Sequence, residues 1–91
     1  MERIIAVARG RVQGVGYRFF VAECAYTTGV YGCVKNMPDG TVEIVAESSS
    51  AALDDFIRLA YAKNDTVIRV EEIAVRKDRA TGEFHGFRVA W

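Results

Sequence analysis

The chain has 91 residues, 51% of them hydrophobic and 26% charged, and its 12 basic and 12 acidic side chains sum to a formal net charge of zero. Those proportions belong to a globular chain and exclude the disordered and membrane classes. A zero balance also argues against a nucleic-acid partner gripped through a broad basic surface.

Apolar residues run evenly from Ile4 to Trp91, so a single domain over residues 1–91 with one small core is expected. The N-terminal apolar run, Ile4 to Ala8, is too short for a signal peptide or a membrane span. A cytoplasmic protein with no membrane partner is the expectation. Cys24 and Cys33 lack metal-ligand spacing and no histidine cluster accompanies them, which predicts two reduced thiols and no metal. The charges are locally uneven. Arg3, Arg9, Arg11 and Arg18 face only Glu2 in the first 18 residues, enough for a small-anion site.

Residues 3–9 are β-branched and stop at Gly10, the pattern of a buried or half-buried strand. Glycines 10, 14 and 16 break any regular element, and the run from Tyr17 to Gly29 then predicts a helix of about three turns with Gly29 as its stop. Residues 31–37 and 41–47 flank Pro38-Asp39-Gly40, a turn signal that predicts a hairpin. Its second arm alternates Val42, Ile44 and Ala46 with Glu43 and Glu47, as a strand with one wet face does.

Ser48, Ser49 and Ser50 are N-cap candidates for a second helix, with Asp54 and Asp55 suited to the positive end of its dipole. Leu53, Phe56, Ile57, Ala60 and Tyr61 recur at helical spacing and define its apolar face. Residues 67–76 read as a further strand, but the alternation changes phase at Glu71-Glu72, which calls for a bulge or a later start. Phe87, Val89 and Trp91 alternate with Arg88 and Ala90 in a short last strand. The order predicts an α+β fold: a ferredoxin-like (split βαβ) sandwich, an antiparallel sheet of four to five strands with two helices on one face.

Such a fold does not choose a function. Gly14-Val15-Gly16-Tyr17-Arg18 lies between a strand and a helix start, where unpartnered N–H groups and the helix dipole favour an anion. Arg18 in the first turn adds a planar fork that matches phosphate. On the residues alone, a tight connection beside a solvated surface arginine explains the same spacing. Neither a GxxxxGKS/T nor a GxGxxG pattern is present, which argues against a nucleotide-hydrolysing loop.

The stretch Gly10-Arg11-Val12-Gln13-Gly14-Val15-Gly16-Tyr17-Arg18 resembles the acylphosphatase signature GRVQGVGFR, with Tyr17 where that family usually has phenylalanine. Gly32-Cys33-Val34-Lys35-Asn36-Met37-Pro38-Asp39-Gly40 resembles its GWVRNLPDG, and Glu83-Phe84-His85-Gly86-Phe87 resembles its EFxGF. The resemblance implies a cofactor-free, metal-independent hydrolase that splits the carboxyl–phosphate anhydride of small acyl phosphates, as a monomer. It implies Arg18 and Asn36 as catalytic residues, Asn36 orienting the attacking water. The phosphate loop it implies is Gln13, Gly14, Val15, Gly16, Tyr17 and Arg18. Cys33, Thr28 and the segment 63–68 depart from the family's usual tryptophan, leucine and Gly-Pro turn, and these touch packing and loop shape.

Phosphoryl transfer needs neutralised oxygens and a nucleophile held in line, and little else from the protein. An amide such as Asn36 offers both donors and an acceptor without titrating. His85, Cys24 and Cys33 are general-base or nucleophile candidates by residue type only. Phe19 and Phe20 read as core contacts of the first helix, and Arg88 as a second arginine of unspecified reach. Two other function classes share the fold: an RNA- or protein-binding module, and a carbamoyl-phosphate-handling module within a larger maturation enzyme. Neutral charge and the lack of an RRM-type aromatic pattern weigh against the first, and the chain's length against the second.

Overall fold

The computed structural model describes residues 1–90. Trp91, expected to close the alternation of the last strand, lies outside the described residues. In chain order the elements are β1 (Glu2–Arg11), α1 (Tyr17–Thr28), β2 (Tyr31–Asn36), β3 (Val42–Ser48), α2 (Ser50–Ala60), β4 (Arg69–Asp78) and β5 (Phe87–Val89). They form one sheet in the order β4-β1-β3-β2-β5 with both helices on one face. The first four strands pair antiparallel, and β5 joins β2 in parallel. Ile4, Ala6 and Ala8 of β1 and Val42, Ile44 and Ala46 of β3 are buried beneath the helices, at alternate positions as the strand period requires.

The phase change in β4 is a bulge. Arg9 pairs with Glu72 but Gly10 pairs with Val70, so Glu71 is the extra residue. Gly10 sits at φ 125°, and a Cβ there would lie 2.2 Å from the Arg69 carbonyl oxygen, so the crossing strands leave room for glycine alone.

Helix α1 ends as its glycine predicts: Gly29 is left-handed, and the N–H groups of Gly29 and Val30 both donate to the Ala25 carbonyl. Helix α2 starts at Ser49, whose hydroxyl accepts the Ala52 N–H at 3.2 Å. Leu53, Phe56 and Ala60 are buried, with Ile57 and Tyr61 packed against them. Asp54 and Asp55 fall beyond the first turn, and Asp55 instead pairs with Arg58, so the dipole role expected for them is not observed. The departure at 63–68 is shaped by Asp65, whose carboxylate accepts the Val67 and Ile68 N–H groups at 2.8 and 2.7 Å; these bonds hold its pKa below the ordinary value.

Tyr17 and Phe56 are the largest fully buried side chains, and the Tyr17 hydroxyl donates to the Ala60 carbonyl at 2.7 Å, tying the start of α1 to the end of α2. Phe87 of β5 meets Phe56 with ring centroids 5.8 Å apart. Because β4 and β5 lie at opposite edges of the sheet, residues 79–86 must cross the face that the helices leave open. Among the described residues no helix is long and apolar enough to cross a membrane.

Candidate active site

The connection from β1 to α1 is built around two left-handed glycines, Gly14 at φ 72° and Gly16 at φ 79°. Between them Val15 packs on the core, while both glycines are exposed. Gly16 is the N-cap of α1 and offers no side chain, and no acidic residue occupies the first turn. The helix thus starts with its positive end capped by no side chain. Tyr17 contributes only its backbone here, since its ring is 1% exposed and burial, with Cys24 and Tyr61 nearby, drives its pKa further above the usual value.

The Gln13 side chain does something the sequence did not announce. Its Nε2 donates to the carbonyls of Met37 and Thr41, each at 2.8 Å, lacing the loop to the end of the β2–β3 hairpin. That hairpin end is itself braced. The Gly40 N–H closes the turn on Met37, the Met37 N–H bonds to Thr41, and the Asp39 carboxylate accepts from the Thr41 N–H and hydroxyl. Asn36, the last residue of β2, is therefore held from both sides.

Asn36 shares a face with Val34, two residues earlier and fully buried beneath the helices. Its Oδ1 is buried and accepts no hydrogen bond from any described residue. A buried amide oxygen left this way costs about 1–3 kcal/mol, so its presence calls for an explanation.

Arg18, half-buried in the first turn of α1, donates from Nη1 to the Ala90 carbonyl at 2.8 Å. The Ala90 N–H in turn donates to the Val34 carbonyl at 2.8 Å, so the guanidinium is tied through one residue to the strand that ends in Asn36. The structure thus brings together Gly14, Val15, Gly16, Arg18 and Asn36 through two clamps, Gln13 and Ala90. A glutamine in a loop and a backbone carbonyl carry no sequence signal of such partners.

The other candidates lie elsewhere. His85 is exposed on the crossover beside Gly86, whose carbonyl accepts the Gly32 N–H. Four strand residues separate Gly32 from Asn36, roughly 13 Å. Arg88 is the register partner of Cys33 and lies between Phe87 and Val89, which pack on the core, so it faces the open side of the sheet. Cys24 is buried, with its pKa pushed up to about 11, so neither thiol is a ready thiolate. Phe20 packs on the core and stacks near Tyr17, but Phe19 is 62% exposed, which corrects its reading as a core contact. Among the described residues no group of three His, Cys, Asp or Glu side chains could hold a metal ion.

The βαββαβ order, with both helices on one face of the sheet, makes this a ferredoxin-like α+β sandwich. The acylphosphatase family model matches residues 4–89. An acylphosphatase of Thermus thermophilus is 40% identical over 89 residues, covering 98% of this chain and 99% of its own. The crystal structure of acylphosphatase from Bacillus subtilis superposes with a TM-score of 0.92 at 35% identity, covering all of both chains. HypF from T. kodakarensis matches all of this chain at 30% identity and a TM-score of 0.85, but over only 12% of its own length. The chain belongs to the acylphosphatase family of enzymes.

Proposed function

We propose that the chain hydrolyses the carboxyl–phosphate anhydride of small acyl phosphates, with Arg18 and the N–H groups of the 13–18 loop binding the phosphate and Asn36 placing the attacking water. Family membership over residues 4–89 supports the reaction class. The observation that carries the residue roles is the buried Asn36 Oδ1, without a partner among the described residues, on the hairpin end that Gln13 ties to the loop before the uncapped start of α1. The Asn36 amide offers donors and an acceptor that can hold a water with its lone pair toward a phosphorus held by the loop.

The water oxygen forms a bond to phosphorus as the bond from phosphorus to the acyl oxygen breaks. The acyl group leaves as a carboxylate, a weak base that needs no protein acid. The water's proton passes to a phosphate oxygen, and inorganic phosphate results. Charge on the three non-bridging oxygens is met by the Arg18 fork and the loop amides. The bond from Nη1 to the Ala90 carbonyl orients the guanidinium.

We read the enzyme as a metal-independent cytoplasmic monomer; free thiols at Cys24 and Cys33 suit a reducing compartment. The test is hydrolysis of benzoyl phosphate in EDTA, with inorganic phosphate as inhibitor. Turnover is expected to survive the chelator and phosphate to compete with substrate. An inert chain sinks the reading, and turnover lost in EDTA but restored by magnesium or zinc sinks its metal-free mechanism.

A further inference from the structure

The sheet's open face holds a buried charge that the reaction does not use. Glu47 of β3 is 1% exposed and sits opposite its register partner Arg3 of β1. Arg3 Nε donates to Glu47 Oε2 at 2.7 Å. Burying such a pair is expensive, and an apolar pair could join β1 to β3 as well. What only a carboxylate does here is accept from the crossover. Oε2 takes the Thr81 N–H at 2.9 Å, and Oε1 takes the Gly82 N–H at 3.0 Å. Burial pushes the Glu47 pKa up, but the bonds from Thr81, Arg3 and Gly82 outweigh it and hold the carboxyl below its ordinary value. Arg3 extends the grip, donating from Nη2 to Thr81 Oγ1 at 2.9 Å and Glu83 Oε1 at 2.8 Å, with Phe84 stacked 5.4 Å from its guanidinium.

The crossover so anchored delivers β5. That strand has three residues, pairs on one side only, and is followed by Ala90, whose carbonyl accepts from Arg18. A strand this short has little pairing of its own to fix its position. We infer that Glu47, with Arg3, is a positioning residue for the phosphate-binding arginine: it sets where the crossover comes down, hence where β5 and the Ala90 carbonyl hold the Arg18 fork. This rests on the role proposed for Arg18, and it extends the functional unit to the far end of the sheet.

The test is a double-mutant cycle on inorganic phosphate affinity, measured by calorimetry, in wild type, Glu47→Gln, Arg18→Ala and the double variant. Turnover of benzoyl phosphate is measured per folded molecule alongside. Glu47→Gln is expected to weaken phosphate binding and lower turnover by about tenfold each, short of the roughly hundredfold that a misplacement of about 1 Å can cause. In the Arg18→Ala background the same substitution should change phosphate affinity less than twofold. Arg3→Lys, which keeps the charge but loses the fork, should move both quantities the same way by less, and it stands in if Glu47→Gln does not fold. Ser49→Ala serves as the destabilised control with unchanged affinity. Additive effects in the cycle, or folded Glu47 and Arg3 variants with wild-type phosphate affinity and turnover, overturn the inference while leaving the Arg18 role intact. A wild-type chain that binds no phosphate removes both.

Discussion

At the start of α2 the Ser49 hydroxyl accepts the Ala52 N–H, so the positive end of that helix is answered from within the chain. At the start of α1 the capping residue is Gly16, left-handed and without a side chain, and no acid stands in the first turn. Both helices lean on the same sheet, and each carries the same unsatisfied N–H groups by construction. The first end is satisfied within the chain; the second is where we propose that phosphate binds. Asn36 repeats the contrast among side chains, since its buried oxygen has no donor among the described residues while the buried carboxylate of Glu47 is filled by three residues. The helix start left without a side-chain cap and the buried acceptor left without a partner among the described residues are the ground on which the site is proposed there.

The sharpest way to break the contrast is at Arg18. Lysine there keeps the charge but loses the planar fork, and both Arg18→Lys and Arg18→Ala are expected to lower turnover on the order of a hundredfold or more. Phosphate inhibition should weaken with it, by the roughly ten- to hundredfold that loss of a charge-assisted contact of about 1.5–3 kcal/mol brings. Wild-type turnover in either variant, with circular dichroism unchanged, would remove the loop from the mechanism.

Asn36→Ala separates two functions within the site. An amide that places water acts mainly in the transition state, so turnover should fall about ten- to a hundredfold while the phosphate inhibition constant moves by less than threefold. Equal loss in both would make Asn36 a phosphate ligand instead. The substitution also removes an unsatisfied buried oxygen, so thermal stability should hold or rise.

The smallest effect is expected at the other helix. Ser49→Ala removes a cap worth about 1 kcal/mol and should lower Tm by about 4–8 °C for a domain of this size, leaving turnover per folded molecule untouched. A drop in turnover matching that at Arg18 would abolish the distinction between the two helix ends.

Much of the architecture was legible because its signals are short-range. Gly29 stopped α1, Pro38-Asp39-Gly40 made the hairpin, the stripe from Leu53 to Tyr61 gave α2 its buried face, and the phase change at Glu71-Glu72 became the bulge against Gly10. Two details were misjudged for want of context. Asp54 and Asp55 lie past the first turn because Ser49, and not the later Ser50, is the cap. Phe19 turns outward because Tyr17 and Val21 take the inward positions on α1.

By itself the sequence determined the order of elements, the split βαβ plan and the residues of the glycine loop, since periodicity, turn chemistry and motif spacing all act within about ten residues. Tertiary structure alone decided how the site is held. Gln13 reaches Met37 and Thr41 across 24 and 28 residues, and Arg18 reaches the Ala90 carbonyl across 72. The parallel placement of β5 on β2, which brings that carbonyl within reach, depends on a crossover anchored by Glu47 at the other end of the sheet. Backbone acceptors have no residue type to betray them, and an unsatisfied amide oxygen exists only once every neighbour has been placed.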